Sequence, residues 1–535
     1  MQENLKILMA QINPLVGAIA INCDKIINVI KNAQQTHDLI VFPELALSGY
    51  PAEDLLFRKE FHEQITNNLK QIVAATGDCY VLVGHPIVEN ELCYNALSVI
   101  HQGHIIKEYR KQKLPNYEVF DEARYFTPGE HHPCILELKN YKIGICICED
   151  IWQPGPVQDL VDSGISVLVS MNASPFDYDK YYRREELLKG YALQGLSVVY
   201  VNQICGQDEL LFDGQSMALD KNGTVCVRAP AFEEDLCTVE ISGDKVTGSI
   251  TPYLSIEELI YKALVCGTRE YVDKNGFPGV LLGLSGGIDS ALTLAIAVDA
   301  LGAERVHAVM MPSRFSAQIS HDDAMEQLAR MKVAHTTLSI EPAFEAILTT
   351  LDPVFKGTAP DITEENIQAR IRGLLLMALS NKTGKMVLTT SNKSETAVGY
   401  STLYGDMAGG FGVLKDVLKT QVYSLAKYRN TLSEVIPERV ITRAPSAELR
   451  ANQKDQDSLP DYAVLDTIII AYVENNMSPA EIIQQGFDPQ VVQQVIKLIK
   501  RNEYKRRQAA PGIKISSIAF GKDWRYPITN GFSEN

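Results

Sequence analysis

Hydrophobic positions along the first half of the chain fall in short, nearly unbroken runs. LKILMAQI, DLIVFPE, CYVLVGHPIV, ALSVI, YKIGICIC, ISVLVSMNAS, LSVVYVNQ, QSMALD and TVCVRA succeed one another from Leu5 to about Thr251. Runs of this length, rich in Val and Ile and bounded by turn residues, predict strands within covered sheets, with helices between several of them. The closely spaced runs around Gly103 predict a hairpin as well. The rhythm changes at Thr251-Pro252, after which Ser255 is placed to cap a helix reaching Val272. Beyond it, strand and helix patterns alternate. Strands are predicted at Gly279 to Leu284, Val306 to Met311, Ala334 to Ile340 and Lys385 to Thr390, and helices at Ser290 to Leu301, His321 to Met331 and Glu364 to Leu379. This βαβ alternation predicts a parallel, doubly wound sheet, so two α/β domains are expected, residues 1–250 and 251–535.

A chain of 535 residues is also longer than one hydrophobic core usually supports. Its formal net charge of −16 argues against a nucleic-acid or anionic-membrane partner and for small-molecule substrates. MQENLKILMAQINPLVG carries acidic and amide residues where a secretory leader would be basic. No run approaches the roughly 20 apolar residues of a membrane span, and the long stretch Val464 to Val473 includes Asp466. A soluble, cytoplasmic protein is expected. Ten scattered cysteines predict reduced thiols, and the Cys146-x-Cys148 pair lacks the second pair that a zinc site requires.

In GVLLGLSGGIDSALTLAIAVDALG, an apolar strand runs into Ser285-Gly286-Gly287-Ile288-Asp289-Ser290 and an apolar helix follows at once. Two glycines permit close backbone approach, a helix N-terminus attracts anions, and two serines supply hydroxyl donors. Asp289 suits a phosphate that carries a magnesium ion, since hard cations take carboxylate and phosphate oxygens together. No Gly-Lys-Ser/Thr follows, so a Walker A loop is excluded, as is a G-x-G-x-x-G fingerprint. The loop resembles that of the ATP pyrophosphatases, which cut ATP to AMP and pyrophosphate while adenylating a substrate oxygen. ENIQARIRGLLLMALSN, LTTSNKSETAVGYSTLYGDMAGGF, LKDVLKTQVY and EYKRRQAAPGIKIS resemble the NAD synthetases among them. The resemblance implies that Gly283, Leu284, the Ser285 to Ser290 loop and Thr390 bind ATP. It further implies that Asn366, Glu395 and Lys505 line a site for nicotinic acid adenine dinucleotide (deamido-NAD), and that Asp289 and Glu395 hold Mg2+. Ser391-Asn392 stands where short, ammonia-only relatives commonly carry Asp-His, which fits the longer glutamine-dependent branch.

Three further windows bear on amide chemistry. DLIVFPELALSGYP places Glu44 just past a strand, YRKQKLPNYEVFDE carries Lys113 in a basic run, and Cys148 ends IGICIC. A carboxylate to take the thiol proton, a thiolate to attack an amide carbon and an ammonium to stabilise the negative charge make a sufficient set. Side-chain alternation would put Cys146 and Cys148 on one strand face, so geometry alone does not choose between them. The patterns F-P-E-L-x-L-S-G-Y, K-x-x-L-P-N-Y and G-I-C-I-C-E-D-I-W resemble the nitrilase superfamily over most of residues 4–230. That resemblance implies an αββα sandwich with catalytic Glu44, Lys113 and Cys148. Glutamine is implied to bind at Tyr117, Ser174 and Lys180.

Taken whole, the order of the two halves resembles the bacterial glutamine-dependent NAD synthetases: a nitrilase-like domain, then a doubly wound domain of the adenine nucleotide alpha hydrolase kind. The implied reaction is ATP-dependent amidation of deamido-NAD through an acyl adenylate, with ammonia from glutamine passed internally and a homo-oligomeric assembly. One rival reading is a stand-alone nitrilase or amidase with a vestigial nucleotide domain. Another is a non-enzymatic nucleotide-binding regulator. The intact SGGIDS loop and Glu395 weigh against the first, and the presence of Glu44, Lys113, Cys148 and Asp289 against the second.

Overall fold

The computed structural model describes residues 3–450, 453 and 455–532. The chain divides into two compact units that meet at Leu254 and Ser255.

The first unit holds β1 (Leu5–Gln11), α1 (Ile19–Ala33), β2 (Leu39–Val41), α2 (Lys59–Ala75), β3 (Tyr80–Glu89), β4 (Leu92–His101), β5 (His104–Arg110), β6 (Cys134–Leu138) and β7 (Tyr141–Ile147). It continues with α3 (Pro156–Asp162), β8 (Val167–Asn172), α4 (Lys180–Ala192), β9 (Ser197–Asn202), β10 (Ile204–Gln207), β11 (Leu210–Asp213), β12 (Met217–Leu219), β13 (Val225–Arg228), β14 (Asp235–Ser242) and β15 (Lys245–Thr247). Two sheets carry the fold, one ordered β15-β14-β1-β2-β3-β4-β5 and the other β13-β12-β9-β8-β7-β6. The nine expected runs are all strands, and β4 and β5 form the hairpin around Gly103. β6, β14 and β15 were not expected. Their burial alternates or is slight, so they lack the continuous apolar run that marks the inner strands.

Burial explains the layering. Ile7, Met9, Leu82 and Val99 of the first sheet pack on Ile143, Ile145, Val169 and Val199 of the second. The outer face of the first sheet is covered by Cys23, Ile26 and Ile30 of α1 with Ile65 and Ile72 of α2. The outer face of the second is covered by Val157 and Leu160 of α3 with Leu188 and Ala192 of α4. The result is the four-layer αββα sandwich.

The second unit opens with α5 (Ile256–Lys274), capped as expected by the Ser255 side chain, which accepts from Glu258 N. There follow β16 (Val280–Gly283), α6 (Ile288–Leu301), β17 (Val306–Met310), α7 (Gln318–Met331), β18 (Ala334–Thr337), α8 (Glu341–Phe355), α9 (Ile362–Thr383), β19 (Met386–Thr389), α10 (Lys393–Val398), β20 (Phe411–Gly412) and α11 (Lys419–Leu432). The sheet is ordered β18-β17-β16-β19-β20 and every pairing in it is parallel. α8 and α9 contribute Phe344, Ile367 and Ile371 to one face. α8 is an element the sequence reading left out. The chain runs outward from β16 to β18 and then returns to β19 on the other side of β16, so the turn after β16 stands at the switch point where doubly wound sheets bind ligands.

Candidate functional sites

In the first unit the turn after β2 delivers Glu44 into the interior, where it is almost wholly buried. Leu45 has φ +48°, and a Cβ on Gly84 of β3 would stand 2.4 Å from Leu45 N, so β3 passes directly against this turn. Glu44 accepts from Asn95 Nδ2 and from Lys111 Nζ, each at 2.7 Å, and from the Ala173 amide at 3.0 Å. Lys111 Nζ also donates to both oxygens of Glu122, at 2.8 and 2.9 Å. Tyr50 donates its hydroxyl to Glu122 at 2.8 Å. Burial works against the Lys111 charge, but Glu122 and Glu44 outweigh it and hold the ammonium well above the usual lysine range. Burial pushes the Glu122 carboxyl up to about 7, against the pull of Lys111.

This geometry corrects the lysine. Lys111, not Lys113, meets Glu44, whereas Lys113 contributes its backbone amide to Asp150. The signal was present in the sequence, because K-x-x-L-P-N-Y begins at Lys111 and Lys113 is only its third letter. Glu122 was also missed, although it is the last residue of the window YRKQKLPNYEVFDE; the chain between folds back and brings it to Lys111.

Cys148 sits where β7 stops. Its φ of +43° ends the extended chain and starts the short helical turn Cys148–Ile151. Strand alternation therefore fails at this residue, and the expectation that Cys146 and Cys148 share a face is corrected. Cys148 joins the core between the sheets, whereas Cys146 faces the α3 and α4 layer. Burial, and then the Glu44 charge, push the Cys148 thiol well above the usual range, and Lys111 opposes them. Two of the three residues expected to bind glutamine reach the same turn. Tyr117 donates its hydroxyl to Glu149 at 3.0 Å, and the Lys180 ammonium lies 5.0 Å from the centre of the Trp152 ring. Burial lowers the Lys180 pKa. Ser174 follows Ala173, and its hydroxyl accepts from Arg184 Nε at 3.3 Å. Nine cysteines among the described residues are free thiols.

In the second unit, Gly283 ends β16 and Leu284 N bonds to Val309 O at 3.0 Å. Gly286 has φ +79°, and a Cβ there would fall 2.1 Å from Ser320 O, so glycine is required. Gly287 caps α6, which begins at Ile288 and therefore carries Asp289 in its first turn. The Ser285 and Ser290 hydroxyls are 3.1 Å apart, and Gly287 N donates to Ser285 Oγ at 3.2 Å. Thr390 directly follows β19.

Asp289 and Glu395 are brought together by two residues that the sequence reading did not assign to the site. Asn392 donates Nδ2 to Asp289 at 2.8 Å, while its Oδ1 caps α10 by accepting from Glu395 N at 2.9 Å. Lys419, almost fully buried, bridges Asp289 and Glu395. Burial pushes Glu395 up to about 8; Lys419 pulls it down, and Asp289 adds to the rise. The N-x-x-E spacing was the available signal for Asn392. Asn366 and Lys505 reach a neighbouring turn: Asn366 accepts from Thr402 Oγ1 at 2.8 Å, and Lys505 Nζ donates to Gly399 O at 2.8 Å and Ser401 O at 2.7 Å.

The class of the protein follows from two family models. That for carbon-nitrogen hydrolase matches residues 6–249 and that for NAD synthase matches residues 260–509. Curated relatives match end to end. A glutamine-dependent NAD(+) synthetase of Acinetobacter baylyi is 49% identical, with 99% of each chain covered, and one of Thermotoga maritima is 43% identical, with 99% of this chain and 100% of the relative covered. A solved glutamine-dependent NAD+ synthetase from Acinetobacter baumannii, in complex with ADP, matches with a TM-score of 0.81, 47% identity and full coverage of both chains. The chain belongs to the family of glutamine-dependent NAD(+) synthetases. Among the described residues, no helix is long and apolar enough to cross a membrane.

Proposed function

We propose that the chain converts deamido-NAD to NAD with ATP and glutamine, releasing AMP, pyrophosphate and glutamate. The observation that carries this reading is the presence, in one chain, of a buried Glu44–Lys111 pair beside Cys148 and of a glycine loop ending at Asp289. In the first unit Glu44 takes the Cys148 proton, and the thiolate attacks the glutamine amide carbon. Lys111 remains charged and stabilises the anionic tetrahedral intermediate. Glu44 returns the proton to the amide nitrogen as the tetrahedral intermediate collapses, which releases ammonia and leaves a thioester that water hydrolyses to glutamate. Tyr117, Ser174 and Lys180 orient the substrate around the Cys148 turn.

In the second unit the Ser285 to Ser290 loop, with Gly283, Leu284 and Thr390, holds ATP. Asn366, Glu395 and Lys505 hold deamido-NAD. The deamido-NAD carboxylate displaces pyrophosphate from the ATP α-phosphate, and ammonia then displaces AMP. Asp289 and Glu395 are hard oxygen donors of the kind that would hold a magnesium ion together with phosphate oxygens, and in the structure the Lys419 ammonium bridges the two carboxylates. Bound there, Mg2+ would supply charge neutralisation to the departing pyrophosphate. An ADP-bound relative supports nucleotide binding by this family. A homo-oligomer in the cytoplasm is part of the proposal.

The test separates the two halves. Cys148→Ala should abolish glutamine-dependent synthesis and leave synthesis from ammonium salts intact, whereas Asp289→Asn should remove synthesis from either source. Equal loss of both activities in folded Cys148→Ala protein would defeat the division of labour.

A further inference from the structure

The proposed hydrolytic groups arrive from different sheets. Lys111 follows β5 at the edge of the seven-stranded sheet, and Cys148 follows β7 in the six-stranded one. Nothing in either strand's own hydrogen bonding sets the separation of ammonium and thiol. A buried carboxylate spans the gap. Asp150, fully buried, lies two residues after Cys148. Its Oδ1 accepts from the amides of Gln112 at 3.0 Å and Lys113 at 2.9 Å, which follow directly on Lys111. Its Oδ2 accepts from the Tyr109 hydroxyl at 2.8 Å and from the Ile147 amide, just ahead of Cys148, at 3.1 Å.

We infer that Asp150 is a positioning residue for amide hydrolysis, a carboxylate clamp that fixes the segment carrying Lys111 against the turn carrying Cys148. The inference rests on the reading of Cys148 as nucleophile and goes beyond it. The two-sided geometry demands a carboxylate. An asparagine has one acceptor oxygen and one NH2 group, so whichever way it is turned, its NH2 faces backbone N–H donors on one of the two sides. Asp150→Asn therefore opens one half of the clamp while keeping its shape. Misplacement of reacting groups by about 1 Å costs on the order of 100-fold in rate.

The test uses the full-length protein. For Asp150→Asn, kcat for glutamine hydrolysis should fall about 100-fold while KM changes by less than about threefold. Synthesis from ammonium chloride should stay within about twofold, because the second unit does not use the clamp. Alkylation of Cys148 by iodoacetamide, followed on its own peptide by mass spectrometry, should shift to higher pH, since a displaced Lys111 no longer favours the thiolate. A merely structural contact would leave that profile unmoved. Tyr109→Phe, which removes one donor and keeps the carboxylate, should give a smaller loss of about tenfold in kcat. Wild-type kcat with an unmoved alkylation profile in folded Asp150→Asn protein would overturn the clamp. If that variant does not fold, the same result in Tyr109→Phe overturns it. Hydrolysis surviving in Cys148→Ala would instead overturn the nucleophile on which the inference rests.

Discussion

At the scale of single residues, the first unit concentrates charge where water is absent. An ammonium flanked by two buried carboxylates cannot lose its proton readily, so in the proposed hydrolysis Lys111 acts as a fixed cation. Lys111→Ala should therefore lower glutamine hydrolysis by about a thousandfold or more, because it removes the cation and leaves Glu44 and Glu122 unpaired. Lys113→Ala should cost only a few-fold, since its backbone amide is what the structure employs. Measuring kcat for both variants decides between the two lysines, and a wild-type rate in Lys111→Ala would sink the assignment. His85 gives a pH prediction in the same unit. It is buried on β3, bonded to Pro86 O and Ser98 Oγ, and burial lowers its pKa to about 4. A histidine depressed in the folded state contributes stability above its unfolded pKa of about 6.5 and loses it as pH falls towards 4. Stability of the first unit should therefore drop by about 1.4 kcal/mol per pH unit across that window from this group. Denaturation curves of wild type and His85→Gln should diverge at pH 7 and converge towards pH 4; a gap that does not change with pH would refute this.

At the scale of elements, the parts that were legible are those whose sequence signal is local. Apolar runs gave nine of the strands in the first unit, Ser255 gave the start of α5, and the strand, glycine turn and helix gave the loop before α6. What escaped depends on contacts distant in the chain. Edge strands such as β6 and β15 show only weak patterning, and α8 has a single side chain, Phe344, fully in the core. The Lys111–Glu122 and Asp289–Asn392–Lys419 groupings join residues that no local spacing connects, except for the short N-x-x-E step. The placement of Cys146 and Cys148 was misjudged because a backbone reversal at φ +43° breaks strand periodicity within one residue. The glycine turn offers a test at this scale. Gly286→Ala puts a methyl group against the Ser320 carbonyl and a side chain at positive φ, so α7 and the loop must separate. Synthesis from ammonium and ATP should fall by more than about a hundredfold, while glutamine hydrolysis by the same sample stays within about fivefold. Unimpaired ATP-dependent synthesis would mean that the loop does not cradle the nucleotide.

At the scale of the whole molecule, the question is why an amide-hydrolysing unit and a nucleotide unit are joined in one chain. The attacking species at an acyl adenylate is neutral ammonia, and in water near neutral pH nearly all of it is converted to ammonium, which has no free electron pair. Ammonia that escapes from the first unit is therefore largely lost as a nucleophile, and an activated adenylate left waiting is exposed to hydrolysis. Enclosed transfer removes both losses, and the family of end-to-end relatives with the same pair of units is what that pressure would maintain. The prediction is made on isotope ratios, which do not depend on absolute rates. With amide-labelled 15N glutamine and a large excess of unlabelled ammonium at neutral pH, label in the NAD amide should stand well above its share of the bulk ammonia pool. The enrichment should vanish in Cys148→Ala, which can draw only on the bulk pool. It should persist in a variant slowed at the nucleotide site, provided that transfer and not speed protects the ammonia. Label diluted to the bulk ratio in the wild-type chain would mean that ammonia equilibrates with solvent between the steps, and that the two units share a chain without sharing an intermediate.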